Sequence, residues 1–170
     1  MKRIIIIGCP GSGKSRLSKI LAKKLNLPLV HLDKLFWKPN WQSVSKEQFK
    51  ELLLEELEKP CWILDGNFWS TLELRLKYAD HVILMNYPTV TCILRVLKRV
   101  IKNRGKSRED MTEGCNEKLD IEFLKYVRKF KKTRLPQMKK VLSQSNVPVI
   151  EIKNDRELKK FLNNLPNSNP

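Results

Sequence analysis

The stretch Gly8-Cys9-Pro10-Gly11-Ser12-Gly13-Lys14-Ser15 contains the residue types that bind phosphate. Glycines let successive backbone N–H groups converge on one anion, and the N-terminus of a following helix adds a partial positive charge. A lysine at this place reaches the outer phosphates of a nucleotide, and the serine hydroxyl after it can ligate Mg²⁺. The spacing Gly-x-x-x-x-Gly-Lys-Ser between a predicted strand and a predicted helix indicates a Walker A loop. The predicted nucleotide-binding residues of this segment are Gly8, Pro10, Gly11, Ser12, Gly13, Lys14, Ser15 and Arg16.

Two aspartates follow short apolar runs that are typical of buried strands. Asp65 comes directly after Trp62-Ile63-Leu64, where an acid can hold Mg²⁺ through water together with Ser15; an Asp-Gly turn cap is the alternative. Asp33 follows the run 29–32, where a carboxylate can take a proton from a substrate hydroxyl or bind it. The alternative for Asp33 is a cap on the next segment, and both interpretations stay open at this point.

Arginines recur in the second half of the chain. Phosphoryl transfer spreads negative charge over oxygens that bidentate guanidinium groups stabilise, and a closing segment would exclude water. We predict that Lys14 and Asp33 act in catalysis together with Arg99, Arg104 and Arg108, although a surface location is the alternative for any single arginine. Trp37, in an aromatic group with Phe36 and Trp41, either stacks on a flat substrate or packs in the core.

The order of the elements predicts how these residues meet. Five short apolar runs alternate with amphipathic segments, which predicts a three-layer α/β/α sandwich with a five-stranded, mostly parallel sheet. Ligands of such sheets bind at the carboxyl ends of the strands, where Gly8, Asp33, Asp65 and Asn86 would all lie. We predict one domain over 1–165, with a polar, lid-like segment at about 104–117 and a frayed tail at 166–170.

In detail, the hydrophobic pattern predicts an irregular stretch over 33–44 and a helix that opens at Ser45 with a capping box. Proline at position 136 predicts a break between one helix around 123–130 and another over 137–144.

The charge and the cysteines exclude several classes of protein. The chain has 34 basic and 18 acidic residues, a net charge of +16, and residues 90–140 alone carry 16 basic and six acidic side chains. This excess favours polyanionic partners such as nucleotides or nucleic acid. Four cysteines without a Cys-x-x-Cys pair are typical of reduced thiols, and two histidines make a histidine-based metal site a poor fit. The apolar run 4–7 is too short for a signal or a span, so a cytoplasmic protein without membrane contact is predicted.

The P-loop, Leu64-Asp65-Gly66 and Tyr87-Pro88 together resemble the adenylate kinase and shikimate kinase group. The segment 31–41, with Trp62 to Asn67 and 110–115, is similar to the bacterial DNA topology modulation protein family, a branch of that group. The resemblance covers about 1–165 and implies a P-loop fold of the nucleoside-monophosphate-kinase type that uses ATP and Mg²⁺.

The resemblance also implies particular residues. Arg95 matches an arginine that packs on the ATP base, Arg99 matches one that contacts phosphates, and Arg128 or Arg134 would serve after the lid. The arginine with which adenylate kinases hold AMP after Asp-Gly is absent here, and Arg75 is the nearest candidate for the acceptor.

These observations predict a small-molecule kinase that moves the γ-phosphoryl group of MgATP to a nucleoside, a nucleotide or another hydroxyl compound. The alternative is a nucleotide-dependent regulator that contacts DNA or a protein partner. No helix-turn-helix, zinc finger or RNA-binding signature accompanies the charge, so nonspecific phosphate contact is all that it predicts for DNA.

Overall fold

A computed structural model of the protein describes residues 1–165, and the predicted tail 166–170 lies outside them. Its strands are β1 (Arg3–Gly8), β2 (Leu29–His31), β3 (Trp37–Lys38), β4 (Gln42–Ser43), β5 (Trp62–Asp65), β6 (His81–Met85) and β7 (Val149–Ile152). Five of them form one sheet in the order β2-β5-β1-β6-β7, and all four pairings in it are parallel. Together with the flanking helices this confirms the predicted α/β sandwich.

The helices are interspersed with these strands, and the last helix follows β7. They are α1 (Lys14–Leu25), α2 (Leu32–Phe36), α3 (Lys46–Leu57), α4 (Leu72–Leu76), α5 (Thr89–Asn103), α6 (Ile121–Ser143) and α7 (Asp155–Asn163). Short 3-10 helices cover Pro39–Trp41 and Trp69–Thr71. In the described part of the chain, no helix is both long enough and apolar enough to cross a membrane.

The central strand β1 explains the position of the phosphate loop. Its residues Ile4 to Ile7 are fully buried, as expected for a strand with neighbours on both edges and helices on its faces. The register pairs Ile6 with Asp65 of β5, His31 of β2 also with Asp65, and Gly8 with Met85 of β6. The carboxyl ends of these strands therefore meet at one edge, as the sequence predicted.

The stretch 33–44 is more regular than the sequence predicted. It contains α2 and then a two-stranded hairpin in which Trp37 pairs with Ser43. Asn40 and Trp41 have positive φ angles of 61° and 59°, which turn the chain within this short connection. One of the two hydrogen bonds of the predicted capping box is confirmed. The Ser45 hydroxyl accepts it from the Gln48 backbone amide at 3.0 Å.

The predicted break at Pro136 is wrong, because α6 runs through it as one helix of 23 residues. A proline inside a helix removes one backbone hydrogen bond and crowds the preceding turn. The buried stripe of α6 continues on both sides of the proline, with Val127 and Phe130 before it and Met138 and Leu142 after it. The burial of this stripe outweighs the lost hydrogen bond.

We expect Pro136→Ala to stabilise the protein, because alanine restores the hydrogen bond and relieves the crowding at an exposed position of α6. The gain should be about 1–3 kcal/mol in the free energy of unfolding, measured by urea denaturation. Lys140→Ala, another exposed position on α6, is the control and should change it by less than about 0.5 kcal/mol. A loss of stability in Pro136→Ala would contradict this account of the helix.

Candidate functional site

The phosphate loop fits against its neighbours so closely that two of its glycines admit no side chain. A Cβ atom on Gly8 would lie 2.3 Å from the carbonyl oxygen of Met85, and one on Gly11 would lie 2.3 Å from that of Cys92. Gly8, Gly11 and Gly13 have φ angles of 144°, 81° and 97°, which disfavour any other residue. The loop is therefore held against β6 and α5, with α1 beginning at its end.

Polar groups in the loop are arranged as an anion site requires. The Lys14 ammonium donates to the carbonyl oxygens of Gly8 and Cys9 at 3.0 and 3.1 Å, so it lies over the loop. The Gly8 amide donates to the Asn67 side-chain oxygen at 3.0 Å. The buried Ser12 hydroxyl has no hydrogen-bond partner within residues 1–165. This loop, with its lysine and helix N-terminus, fits the phosphates of a nucleotide.

A cavity of about 800 Å³ opens beside the loop. It brings together most of the residues predicted from the sequence, and its predicted lining residues are Pro10, Gly11, Gly13, Lys14, Ser15, Arg16, Asp33, Trp37, Asp65, Arg95, Arg99 and Arg108. Gly8 and Ser12 belong to the loop but not to this lining. Trp41, Phe68, Asp110, Glu117, Phe123 and Tyr126 line it as well.

Four predicted arginines are not among the residues that line the cavity. Arg104, Arg128 and Arg134 are exposed. Arg75 is fully buried, and its guanidinium donates to the carbonyl oxygens of Gly66 at 3.0 Å and Phe68 at 3.1 Å, and also to that of Asn67. The predicted contact between Arg75 and an acceptor is therefore wrong. The guanidinium of Arg75 is fully occupied by the carbonyl oxygens of the turn after β5.

Asp33 lies on the cavity wall at the start of α2, close to two further carboxylates. Burial, and then the negative charge of Asp65, raise the pKa of Asp33 to about 6, while Arg108 and Lys14 act in the opposite direction. An ionised carboxylate with a raised pKa is a suitable proton acceptor near neutral pH. This geometry is compatible with the predicted contact between Asp33 and an acceptor hydroxyl.

Asp65 and Asp110 approach the loop from different elements. Asp65 is 5% exposed, and its Oδ2 lies 3.0 Å from His31 Nδ1. Burial opposes the charge of Asp110, yet the Arg108 guanidinium and a hydrogen bond from the Ser15 hydroxyl hold the pKa of Asp110 below its usual range. Mg²⁺ in nucleotide sites takes one or two carboxylates together with phosphate oxygens and water. Ser15 with Asp65 or Asp110 fits such an ion.

Glu117 organises the arginines of the cavity. Its carboxylate is buried, with one oxygen 3.0 Å from Arg99 Nη2 and the other 2.8 Å from Arg108 Nε. Arg108 also pairs with Asp110 at 3.2 Å. Glu117 thereby holds two guanidinium groups next to each other, an arrangement suited to the charge of a transferring phosphoryl group.

Arg95 lies at the other end of the loop. Its Nη1 donates to the Ser12 carbonyl oxygen at 3.3 Å, and its guanidinium carbon lies 4.7 Å from the centre of the Tyr87 ring. Its Nη2 pairs with Asp155 at 2.9 Å. The predicted packing of Arg95 on an ATP base is therefore spatially possible, because it borders both the loop and the cavity.

The segment 104–117 covers the cavity and rests on the hairpin β3–β4. The Thr112 hydroxyl donates to the Trp37 carbonyl oxygen at 2.5 Å, and the Asn40 amide donates to that of Gly114 at 3.3 Å. The Cys115 thiol donates to the Lys38 carbonyl oxygen at 3.2 Å. The segment thus lines the cavity and is bonded to the hairpin, and its action as a lid stays a prediction.

Sequence reasoning missed Asp110 and Glu117 as members of the site. Asp110 lies in the segment 110–115, which attracted notice only because it resembles a known family. Glu117 lies in a polar stretch in which no local pattern distinguishes one acid from another. Their neighbours in space come from α1 and α5, which no local pattern could link to them. The one available sequence signal was the large number of arginines in this region. An arginine that is buried on folding needs an acidic partner, so some acids of the region had to be buried with them.

Comparison with known proteins gives relatives that are kinases by name. The chain is 43% identical over 61 residues to a shikimate kinase of Sulfurihydrogenibium, a match that covers 35% of this chain and 37% of that protein. It is 29% identical over 129 residues to adenylate kinase 8 of Xenopus tropicalis, covering 61% and 26%. It is 25% identical over 137 residues to a shikimate kinase of Flavobacterium psychrophilum, covering 76% and 80%. The chain thus spans 37% of the length of the first of these relatives and 26% of that of the second.

Solved structures share the fold. A shikimate kinase from Acinetobacter baumannii, in complex with shikimate, matches with a TM-score of 0.60 at 18% identity over 98% of this chain and 96% of that one. A deoxyadenosine kinase from M. mycoides with bound dATP matches with a TM-score of 0.57 at 16% identity over 94% and 97%. No family model matches the sequence. The chain has the P-loop kinase fold, and the narrower resemblance to DNA topology modulation proteins stays a prediction.

We expect Gly11→Ala to disrupt the loop, because its Cβ would collide with the Cys92 carbonyl at a positive φ angle. Affinity for a nonhydrolysable ATP analogue, measured by titration calorimetry, should fall by about tenfold or more. Gly105→Ala is the matched control, since Gly105 also has a positive φ angle but no atom within 4 Å of the added Cβ. Equal affinities of the two variants would show that the close approach at Gly11 is unimportant.

Proposed function

We propose that this protein is a small-molecule kinase that transfers the γ-phosphoryl group of ATP to a hydroxyl of a small acceptor. One observation carries the proposal: a single cavity joins the phosphate loop, the carboxylate of Asp33 and the paired guanidinium groups of Arg99 and Arg108. These are the groups that hold a donor, accept a proton and stabilise charge during phosphoryl transfer. The names of the relatives support the same class of reaction.

In the proposed reaction the loop would hold the ATP phosphates, with the Lys14 ammonium exchanging its contacts to the Gly8 and Cys9 carbonyls for phosphate oxygens. Mg²⁺, held by Ser15 and an aspartate, would offset the charge of these phosphates. Arg108 and Arg99, oriented by Glu117, would stabilise the charge that develops on the transferred group.

Asp33 would bind the acceptor hydroxyl and take its proton as the new oxygen–phosphorus bond forms and the bond from the γ-phosphorus to the oxygen of the leaving ADP breaks. Its position at the start of α2, in the cavity that Lys14 also lines, supports this role. The segment 104–117 would exclude water, which otherwise competes as the acceptor. The net charge and the resemblance to DNA topology modulation proteins are what support the alternative of a DNA- or protein-binding regulator.

We expect Lys14→Ala to lower phosphoryl transfer from labelled ATP by a hundredfold or more and to weaken ATP binding by about tenfold, because a charge-assisted contact is lost. Lys23→Ala, at an exposed position on the same helix, is the control and should leave both unchanged. A Lys14→Ala protein with wild-type transfer would refute the assignment of the loop.

We expect transfer to decline as the pH falls through about 6. The reaction needs Asp33 as a carboxylate, and its raised pKa means that it gains a proton in this range rather than near pH 4. Below that pKa, kcat/KM should fall about tenfold per pH unit. Asp33→Asn should lower kcat at pH 8 by on the order of a hundredfold while changing ATP affinity little, and its remaining activity should lack the decline near pH 6. A wild-type profile that is flat from pH 8 to 5 would exclude Asp33 as the proton acceptor.

A further inference from the structure

Tyr87 and Asp155 come shortly after two neighbouring strands of the sheet. Tyr87 follows β6 and Asp155 follows β7, and the register pairs Met85 with Ile152 at the ends of these strands. The Asn86 amide donates to the Ile152 carbonyl oxygen at 2.8 Å, which continues the pairing past the end of β6. The parallel sheet therefore brings two residues that are 68 positions apart in the chain together at its carboxyl edge, where such sheets bind ligands.

Tyr87, Asp155 and Arg95 contact one another in a closed group. The Tyr87 hydroxyl donates to Asp155 Oδ1 at 2.9 Å. Arg95 Nη2 donates to both oxygens of the same carboxylate, at 3.0 and 2.9 Å. The Arg95 guanidinium carbon lies 4.7 Å from the centre of the Tyr87 ring, within the range of a cation–π contact. The guanidinium is thus held by a carboxylate and supported by a ring.

The buried member of this group is Tyr87, which is 2% exposed. Burial, and then its hydrogen bond to Asp155, raise the pKa of Tyr87 to about 12, so its hydroxyl keeps its proton and remains a donor. The hydrogen bond from Tyr87 and then the Arg95 guanidinium hold the pKa of Asp155 below its usual range, so Asp155 stays a carboxylate. The buried tyrosine thus fixes an exposed acid, and the acid fixes the arginine.

The ion pair between Arg95 and Asp155 contributes little to the stability of the fold. Its two side chains are 34% and 73% exposed, and water and salt screen ion pairs of this kind. The pair instead determines the orientation of the guanidinium. This orientation matters for the site, because Arg95 lines the cavity and its Nη1 donates to the Ser12 carbonyl oxygen of the phosphate loop at 3.3 Å.

A guanidinium held beside the phosphate loop suits the base of a nucleotide whose phosphates lie in the loop. Guanidinium groups stack on the faces of aromatic rings. The contact is stronger when the guanidinium is oriented before the ligand binds, because less conformational freedom is then lost on binding. The contacts of Tyr87 and Asp155 supply this orientation in advance.

We propose that Tyr87 and Asp155 are positioning residues for the donor nucleotide, and that they hold the Arg95 guanidinium in the orientation in which it stacks on the nucleobase. The inference rests on the proposed function, since it concerns the binding of the ATP donor. It assigns residues to the part of the donor that lies beyond the phosphates. Neither Tyr87 nor Asp155 touches the reacting atoms, so both affect binding of the donor rather than the transfer step.

The test compares two ligands that share a chain of phosphates and differ in the nucleoside. Titration calorimetry with Mg²⁺ measures the affinity of the full chain for a nonhydrolysable ATP analogue and for inorganic tripolyphosphate. Asp155→Ala should weaken binding of the analogue by about fivefold and change that of tripolyphosphate by less than about twofold. Tyr87→Phe keeps the ring and removes the hydroxyl, and it should weaken binding of the analogue alone by about threefold.

Glu122→Ala is the matched control. Glu122 is also an exposed acid in the first turn of a helix, α6, and its ion pair is with Lys125. Its replacement should change the affinity for neither ligand. The melting temperature of each variant shows whether it is folded. Asp155→Ala decides the matter if Tyr87→Phe does not fold, because Asp155 is the exposed member of the group.

A double variant shows whether Asp155 acts through Arg95. Arg95→Ala should weaken binding of the analogue by about tenfold, and the double variant Arg95→Ala/Asp155→Ala should bind it as weakly as Arg95→Ala alone. In transfer assays Asp155→Ala should raise the KM for ATP by about fivefold and leave kcat unchanged, since it removes an interaction that the ground state and the transition state share.

The possible results separate this inference from the proposed function. Equal weakening of both ligands in Asp155→Ala, unchanged affinity for the analogue in that variant, or additive losses in the double variant would each overturn the inference and leave the kinase in place. A wild-type protein that binds tripolyphosphate as tightly as the analogue would do the same, because the base would then contribute nothing. A wild-type protein that binds neither ligand would overturn the proposed function itself.

Discussion

The close approach of the phosphate loop to β6 and α5 is the constraint on which the rest of the site depends. Gly8 lies against the Met85 carbonyl and Gly11 against that of Cys92, so the loop has no room to shift. The buried strand before it and the helix after it hold both ends of the loop. Because the loop is fixed in this way, Lys14 and Ser15 are held at the carboxyl edge of the sheet, where Asp65 of β5 also ends.

The rest of the cavity beyond the phosphate loop, here called the acceptor half, is fixed by different means. Arg75 holds the turn Gly66–Phe68 through backbone carbonyls, and Glu117 holds two guanidinium groups in place. Both Arg75 and Glu117 are buried and charged, and removing the partners of either one would destabilise the fold. The site thus combines a donor half that is rigid by packing with an acceptor half that is rigid by hydrogen bonds and ion pairs.

Local sequence signals were sufficient for the donor half and not for the acceptor half. The glycines, Lys14 and the apolar runs each carry a local pattern, so the sheet and the loop could be predicted. The continuity of α6 through Pro136 depends on burial against other elements, which a local breaker rule ignores. The role of Arg75 depends on which carbonyl oxygens lie near its guanidinium after folding. The pairing of Arg99 and Arg108 depends on Glu117, which lies 18 residues after Arg99 and in the same segment as Arg108. Those contacts arise only in three dimensions.

The contacts between the hairpin β3–β4 and the segment 104–117 involve the hairpin backbone: the carbonyls of Trp37 and Lys38 and the amide of Asn40. Main-chain groups are the same whatever side chain is attached to them. Substitution of the hairpin side chains that face the cavity therefore preserves the hydrogen bonds between the hairpin backbone and the segment 104–117. A lineage of such proteins could change its choice of acceptor by substitutions at these positions without rebuilding the closure of the site.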